Sequence, residues 1–92
     1  MLSAQNGYSI EQNYPNPFSN TSEVEITLAN SGNVHLAILD VTGQVVENVM
    51  DQQMEAGSFS VTIHADELAS GTYFCQMTSG GVTLTRQISI VK

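Results

Sequence analysis

The stretch Ser22-Glu23-Val24-Glu25-Ile26-Thr27-Leu28 alternates strictly, with Val24, Ile26 and Leu28 on one side and Glu23, Glu25 and Thr27 on the other. Successive side chains of an extended chain point to opposite faces, so this period of two marks a strand with one face in a core and one in water. An amphipathic helix needs apolar residues three and four apart, a spacing almost absent here. The same alternation recurs outward from this stretch. Val34, Leu36 and Ile38 line up in Val34–Leu39, with His35 facing away, and Phe59, Val61 and Ile63 alternate with Ser58, Ser60, Thr62 and His64. In Thr72–Thr78, Tyr73, Cys75 and Met77 share a side opposite Phe74. In Val82–Val91, the apolar row of Val82, Leu84, Ile88 and Ile90 is interrupted by Arg86, which predicts a bulge or a stem that snorkels out. Gln44–Asp51 is less regular: either Val45 and Val49 or Val46 and Met50 point inward. Tyr8 and Ile10 are placed for a short first strand.

Turn signals separate these runs. Asp40-Val41-Thr42-Gly43 reads as a tight turn in which Gly43 supplies a positive φ, and Ser79-Gly80-Gly81 suits a hairpin. Asp66-Glu67-Leu68-Ala69-Ser70-Gly71 is a compact connection with at most one turn of helix, which Asp66 would cap. The prolines of Asn13-Tyr14-Pro15-Asn16-Pro17-Phe18 bar that segment from a central strand. Seven short strands without a convincing helix predict an all-β fold, an immunoglobulin-like antiparallel sandwich of about seven strands. The antibody-type pair of cysteines around a tryptophan is absent, since the chain has one Cys and no Trp. At 92 residues this is one small domain, with residues 1–7 read as a linker or tag remnant and the folded unit as 8–92.

Nine Asp and Glu against two Lys and Arg give a net charge of −7, and both cations, Arg86 and Lys92, fall in the last seven residues. A nucleic-acid binder needs a basic face to displace counterions from phosphates, and this chain cannot build one. The longest apolar run, Leu36–Leu39, is far short of the roughly 20 residues of a membrane-spanning helix, and no signal-peptide pattern is visible. The lone Cys75 cannot form an intramolecular disulfide and sits where a core residue belongs. His35 and His64 lie on outward faces, no residues have zinc-ligand spacing, and Asp66-Glu67 lacks that of a calcium loop. No nucleophile elbow or glycine-rich phosphate loop occurs. Asn20-Thr21-Ser22 matches a glycosylation sequon that is common by chance, and Asn16-Pro17-Phe18 resembles a short endocytic ligand whose flanks better suit a structured turn. No catalytic, cofactor-binding or metal site is expected.

Several segments together resemble a known family, the type A C-terminal sorting domain of the type IX secretion system. Asn13-Tyr14-Pro15-Asn16-Pro17-Phe18-Ser19-Asn20-Thr21 is similar to its opening N-Y-P-N-P-F segment. Ile38-Leu39-Asp40-Val41-Thr42-Gly43-Gln44-Val45-Val46 resembles its central strand-turn-strand, and Leu68-Ala69-Ser70-Gly71-Thr72-Tyr73-Phe74 its L-x-x-G-x-Y segment. Thr85–Lys92 is similar to its closing strand, which ends in lysine. The sequence departs from the pattern at Gln44 and Gln87, where a basic residue is frequent, and at Cys75.

The resemblance implies a seven-strand immunoglobulin-like sandwich that is the last module of a large protein of Bacteroidetes-type bacteria. Such a domain is an address. An N-terminally fused cargo reaches the periplasm on its own signal peptide, and the outer-membrane translocon, a shuttle protein and a cell-surface sortase act on it. The sortase then cuts just before the domain, so Met1 would be an added initiator, with the native cut near or before residues 2–7. The cargo would end secreted or on the cell surface. The expected signal is Arg86, Gln87, Ile88, Ser89, Ile90, Val91 and Lys92, read electrostatically and by strand pairing at an exposed edge. Pro15, Asn16, Pro17, Phe18, Asp40, Gly43, Gly71 and Tyr73 are expected to set turns and hold the fold. The alternative is an accessory carbohydrate-binding or adhesion sandwich, which would need a platform of exposed aromatics from Tyr8, Tyr14, Phe18 and Phe74, although Tyr14 and Phe18 are expected to pack against the sandwich. No enzyme activity and no cofactor are expected.

Overall fold

In the computed structural model, which describes residues 4–92, the alternating stretches become strands and no helix forms among the described residues. The strands are β1 (Ala4–Gln5), β2 (Tyr8–Ile10), β3 (Thr21–Leu28), β4 (Gly32–Leu39), β5 (Val45–Met54), β6 (Gly57–His64), β7 (Gly71–Ser79) and β8 (Val82–Ile90). They form two four-stranded antiparallel sheets, ordered β1-β2-β3-β6 and β5-β4-β7-β8. The seven expected strands are all present. The eighth, β1, falls inside the segment read as a linker; it pairs with β2 through a turn in which Asn6 and Gly7 both have positive φ. Residues 1–3 of that segment lie outside the described residues.

The inward positions of β3 (Val24, Ile26, Leu28) meet Leu36, Ile38, Cys75, Met77, Leu84 and Ile88 of the other sheet in one apolar cluster. Each fully buried Leu or Ile contributes about 1.5–3 kcal/mol relative to exposure, which makes this two-layer interior the main source of stability. Cys75 belongs to it, and burial pushes its thiol up to about 12, so no thiolate forms near neutral pH. Tyr73, near the start of β7 and two residues before Cys75, is half-buried, and its hydroxyl donates to the carbonyl of Ala69 at 2.7 Å, as in the tyrosine corner of immunoglobulin-type sandwiches. At the other end of β7, Gly80 has φ +57, and a Cβ there would collide with the Tyr8 hydroxyl.

Three local expectations are corrected. Neither of the two inward pairs foreseen for β5 is realised. The register between β4 and β5 shifts at Leu36/Ala37 and at Ile38/Leu39, which breaks the alternation. As a result Val49 and Met50 are both half-buried while Val45 and Val46 are both exposed. The connection after β6 makes no helical turn for Asp66 to cap: a single bond from Leu68 N to Ala65 O closes it, and Leu68 fills the core. Tyr14 does not pack against the sandwich, being 81% exposed, whereas Phe18 does, at 4%.

At Arg86 the pairing of β7 with β8 runs without a break, so the charge is not accommodated by a bulge. Its stem instead follows the inner face, and Nε donates to the Ile10 carbonyl on the opposite sheet at 2.9 Å. Leu36→Ala should cost about 2–5 kcal/mol of unfolding free energy in urea titration, because the site lies in the centre of both layers. Val45→Ala, at an exposed position, should stay within about 0.5 kcal/mol.

Candidate functional site

The signal residues foreseen at the chain's end lie along the outer edge of β8, where the sheet order stops. An edge strand leaves every second residue's backbone N–H and C=O without a ladder partner. Here the segment between β2 and β3 supplies partners. Phe18 N donates to Ser89 O at 3.1 Å and Val91 N to Phe18 O at 3.0 Å, a parallel bridge opposite Ile90. Ser89 N donates to Asn16 Oδ1 at 2.9 Å, and Gln12 Nε2 donates to Gln87 O at 2.9 Å. The expected exposed edge is therefore occupied from Gln87 to Val91. The cause is proline chemistry: without two of its own N–H groups the Asn13–Phe18 segment cannot be a central strand, but it can lie along an edge as a strap.

The strap is anchored at its other end to the first sheet. Tyr14 exchanges backbone bonds with Glu23 (2.8 and 2.9 Å), and Glu11 N donates to Glu25 O. Between the anchors, the Asn13 amide is buried and donates to Ser22 Oγ at 2.8 Å, and Ser22 Oγ donates to Pro15 O at 2.8 Å. The Tyr14–Pro15 and Asn16–Pro17 peptide bonds are both cis. Phe18 then drops its ring into the core. Gln12, Asn13 and Ser22 were not singled out from sequence; an inward-facing serine in the first apolar row was the available signal.

The two cations are not displayed as free charges. Arg86 bonds across the sandwich to Ile10, and Lys92 Nζ donates to the carbonyls of Ala65 (2.5 Å) and Asp66 (3.4 Å), while Lys92 N donates to Ser70 Oγ. Both tie the last strand to neighbouring backbone. Of the residues expected to set turns, Asp40 carries the most: Oδ1 accepts from Thr42 N, Thr42 Oγ1 and Gln44 N, and Gly43 sits at φ +88. Gly71 opens β7 opposite Ile90.

Beside the strap lies a shallow groove of about 460 Å³, lined by Pro15, Pro17, Phe18, Ser19, Asn20, Thr21 and Val91. No group of three or more potential metal ligands exists among the described residues. No helix among them is long and apolar enough to cross a membrane. Of the six aromatic residues Tyr14 alone is exposed, so the flat aromatic platform of a carbohydrate-binding face is not formed.

The strap is bonded to the closing strand, which pairs with the β7 strand that carries the Tyr73 corner, and the Asp40 turn joins β4 to β5 in the same sheet. A family model described as the secretion system C-terminal sorting domain matches residues 12–91. The chain belongs to this family. The match begins at Gln12, the first strap residue bonded to β8, and covers nearly the whole folded unit of the sorting domain. Such domains are type IX secretion sorting signals and not enzymes. No curated protein matches this chain.

Two predictions test the framework. Phe18→Ala should cost about 3–5 kcal/mol in urea unfolding, whereas Tyr14→Ala, four residues away in the same motif, should stay within about 0.5 kcal/mol. The second concerns acid. Hydrogen bonds from Thr42 hold the Asp40 carboxyl below its ordinary value, and hydroxyls of Ser60 and Thr62 do the same for Glu23. A depressed carboxylate stabilises the fold above its unfolded pKa, and that contribution disappears as pH falls through the folded value. The urea midpoint of the sorting domain should therefore drop below about pH 4, and Thr42→Val should flatten the part of that drop due to Asp40.

Proposed function

We propose that this domain is the address that takes a larger, N-terminally attached cargo from the periplasm across the outer membrane through the type IX machinery. Its translocon and shuttle protein would recognise the domain, and a surface sortase would then cut the chain ahead of it. The observation that carries this reading is the family match over residues 12–91. An address has to survive transit folded and needs no reactive group. The buried, unionised Cys75 and the bonded, buried Asn13, Ser22 and Ser79 fit that requirement.

Within the domain, we place the recognition signal at Arg86–Lys92. Arg86 and Lys92 act there by fixing where the strand lies. Gln87, Ser89 and Val91 present side chains on the strand's outer side, while Ile88 and Ile90 anchor it in the core. The immunoglobulin-like lineage of the sandwich is supported by the Tyr73 corner. The carbohydrate-binding alternative finds no support in the exposed aromatics.

The test is export of a reporter. A periplasm-directed fluorescent protein fused to residues 2–92 should reach the surface or medium of a type IX-competent bacterium, and the same fusion ended at Thr85 should stay in the periplasm. Circular dichroism of both isolated domains separates lost recognition from lost folding. Retention of both fusions in the periplasm would sink the sorting reading.

A further inference from the structure

The recognition surface of the domain is composite: the geometry points to the machinery reading the strap and the end of β8 together, through the groove that both line, with the strap in place. This deepens the sorting reading and rests on it. Three observations carry it. First, the strap and the signal strand are one bonded unit, through Phe18 to Ser89 and Val91, Asn16 to Ser89, and Gln12 to Gln87. Any partner approaching the edge of Gln87–Val91 therefore meets Asn16, Pro17 and Phe18 backbone before it meets the strand. Second, the groove of about 460 Å³ is lined by both segments, by Pro15, Pro17 and Phe18 of the strap and by Val91 after β8. Third, two of the five exposed large apolar side chains among the described residues, Tyr14 at 81% and Val91 at 58%, belong to these same segments.

Charge selects the occupant. Residues 12–22 and 87–91 contain no ionisable acid or base other than the Tyr14 hydroxyl, on a chain that carries nine carboxylates elsewhere. A basic partner surface would be drawn to the acidic remainder and gain nothing here, whereas an uncharged one can cover this patch without desolvating a carboxylate. The occupant is therefore an uncharged protein loop of the outer-membrane machinery. It inserts an aliphatic or aromatic side chain against Pro17 and Val91, with the rim residues Ser19, Asn20 and Thr21 available to bond its backbone.

The experiment uses the reporter fusion of residues 2–92. Tyr14→Ala and Val91→Asp are each expected to lower the exported fraction about tenfold, the effect of losing one apolar anchor, while the thermal midpoint of the isolated domain is unchanged. Val41→Asp removes an equally exposed valine at the Asp40 turn, away from the groove, and should export like the parent. The double variant Asn16→Cys with Ser89→Cys, oxidised to staple the strap to β8, should also still export, because the strap is read where it lies. Normal export of Tyr14→Ala would overturn the composite surface and leave the closing strand as the sole signal. An equal loss with Val41→Asp would overturn it in favour of general surface hydrophobicity. Export lost on stapling and restored by reductant would show that the strap is peeled away, and would also overturn it. In each of these cases the parent fusion is still exported, so the sorting reading stands. A parent fusion that never leaves the periplasm removes both.

Discussion

Closure of one sheet edge is the constraint on which this structure depends. A two-layer sandwich buries its apolar faces readily, but each sheet ends in a strand whose outward N–H and C=O groups have no ladder partner. At β8 the solution is the strap: Phe18 bonds the strand through both its N–H and its carbonyl while its ring enters the core. One residue thus joins edge satisfaction to core packing. Asn16 adds a side-chain acceptor for Ser89, and the buried Asn13–Ser22 pair holds the strap's other end to the first sheet. The strap spans from β3 to β8 and so also bridges the two layers along one side of the sandwich.

The sparse cations work in the same direction. With only two on a chain of net charge −7, surface ion pairing could be expected to claim both. Instead, each donates to backbone carbonyls, Arg86 across the layers and Lys92 onto the connection after β6. Exposed ion pairs contribute little, whereas a charged donor to a partly buried carbonyl satisfies a group that water reaches poorly. For a domain whose family serves as a secretion signal, the result is a last strand held at its edge, its middle and its end. What is then left for a receptor to touch is a definite shape and not a frayed terminus.

The elements differ in how far they could be read in advance. Alternation in Ser22–Leu28, Ser58–His64 and Val82–Val91 located β3, β6 and β8 because each turns its apolar side chains to one face. It failed in β5, where two shifts of register against β4 turn Val45 and Val46 outward, since a bulge depends on the facing strand and leaves no period in the bulged one. The bonds of Asp40 and Tyr73 are local, each reaching backbone within four residues of itself. Tyr14 and Phe18 looked alike in sequence, two aromatics each next to a proline, yet one is in water and the other in the core.

By itself the sequence determined the all-β class, the number of main strands to within one, the faces of most of them and the family. These rest on local periodicity, on turn chemistry and on motifs in fixed order. Tertiary structure alone decided that the prolines' segment closes the edge of β8, that Arg86 reaches Ile10, and that Pro17 and Val91 line one groove. Those pairings join residues more than 70 positions apart, through backbone groups that every residue carries or through a single side-chain bond to them, so no local side-chain pattern encodes them. They appear only when the two sheets are stacked and the strap has one edge left to satisfy.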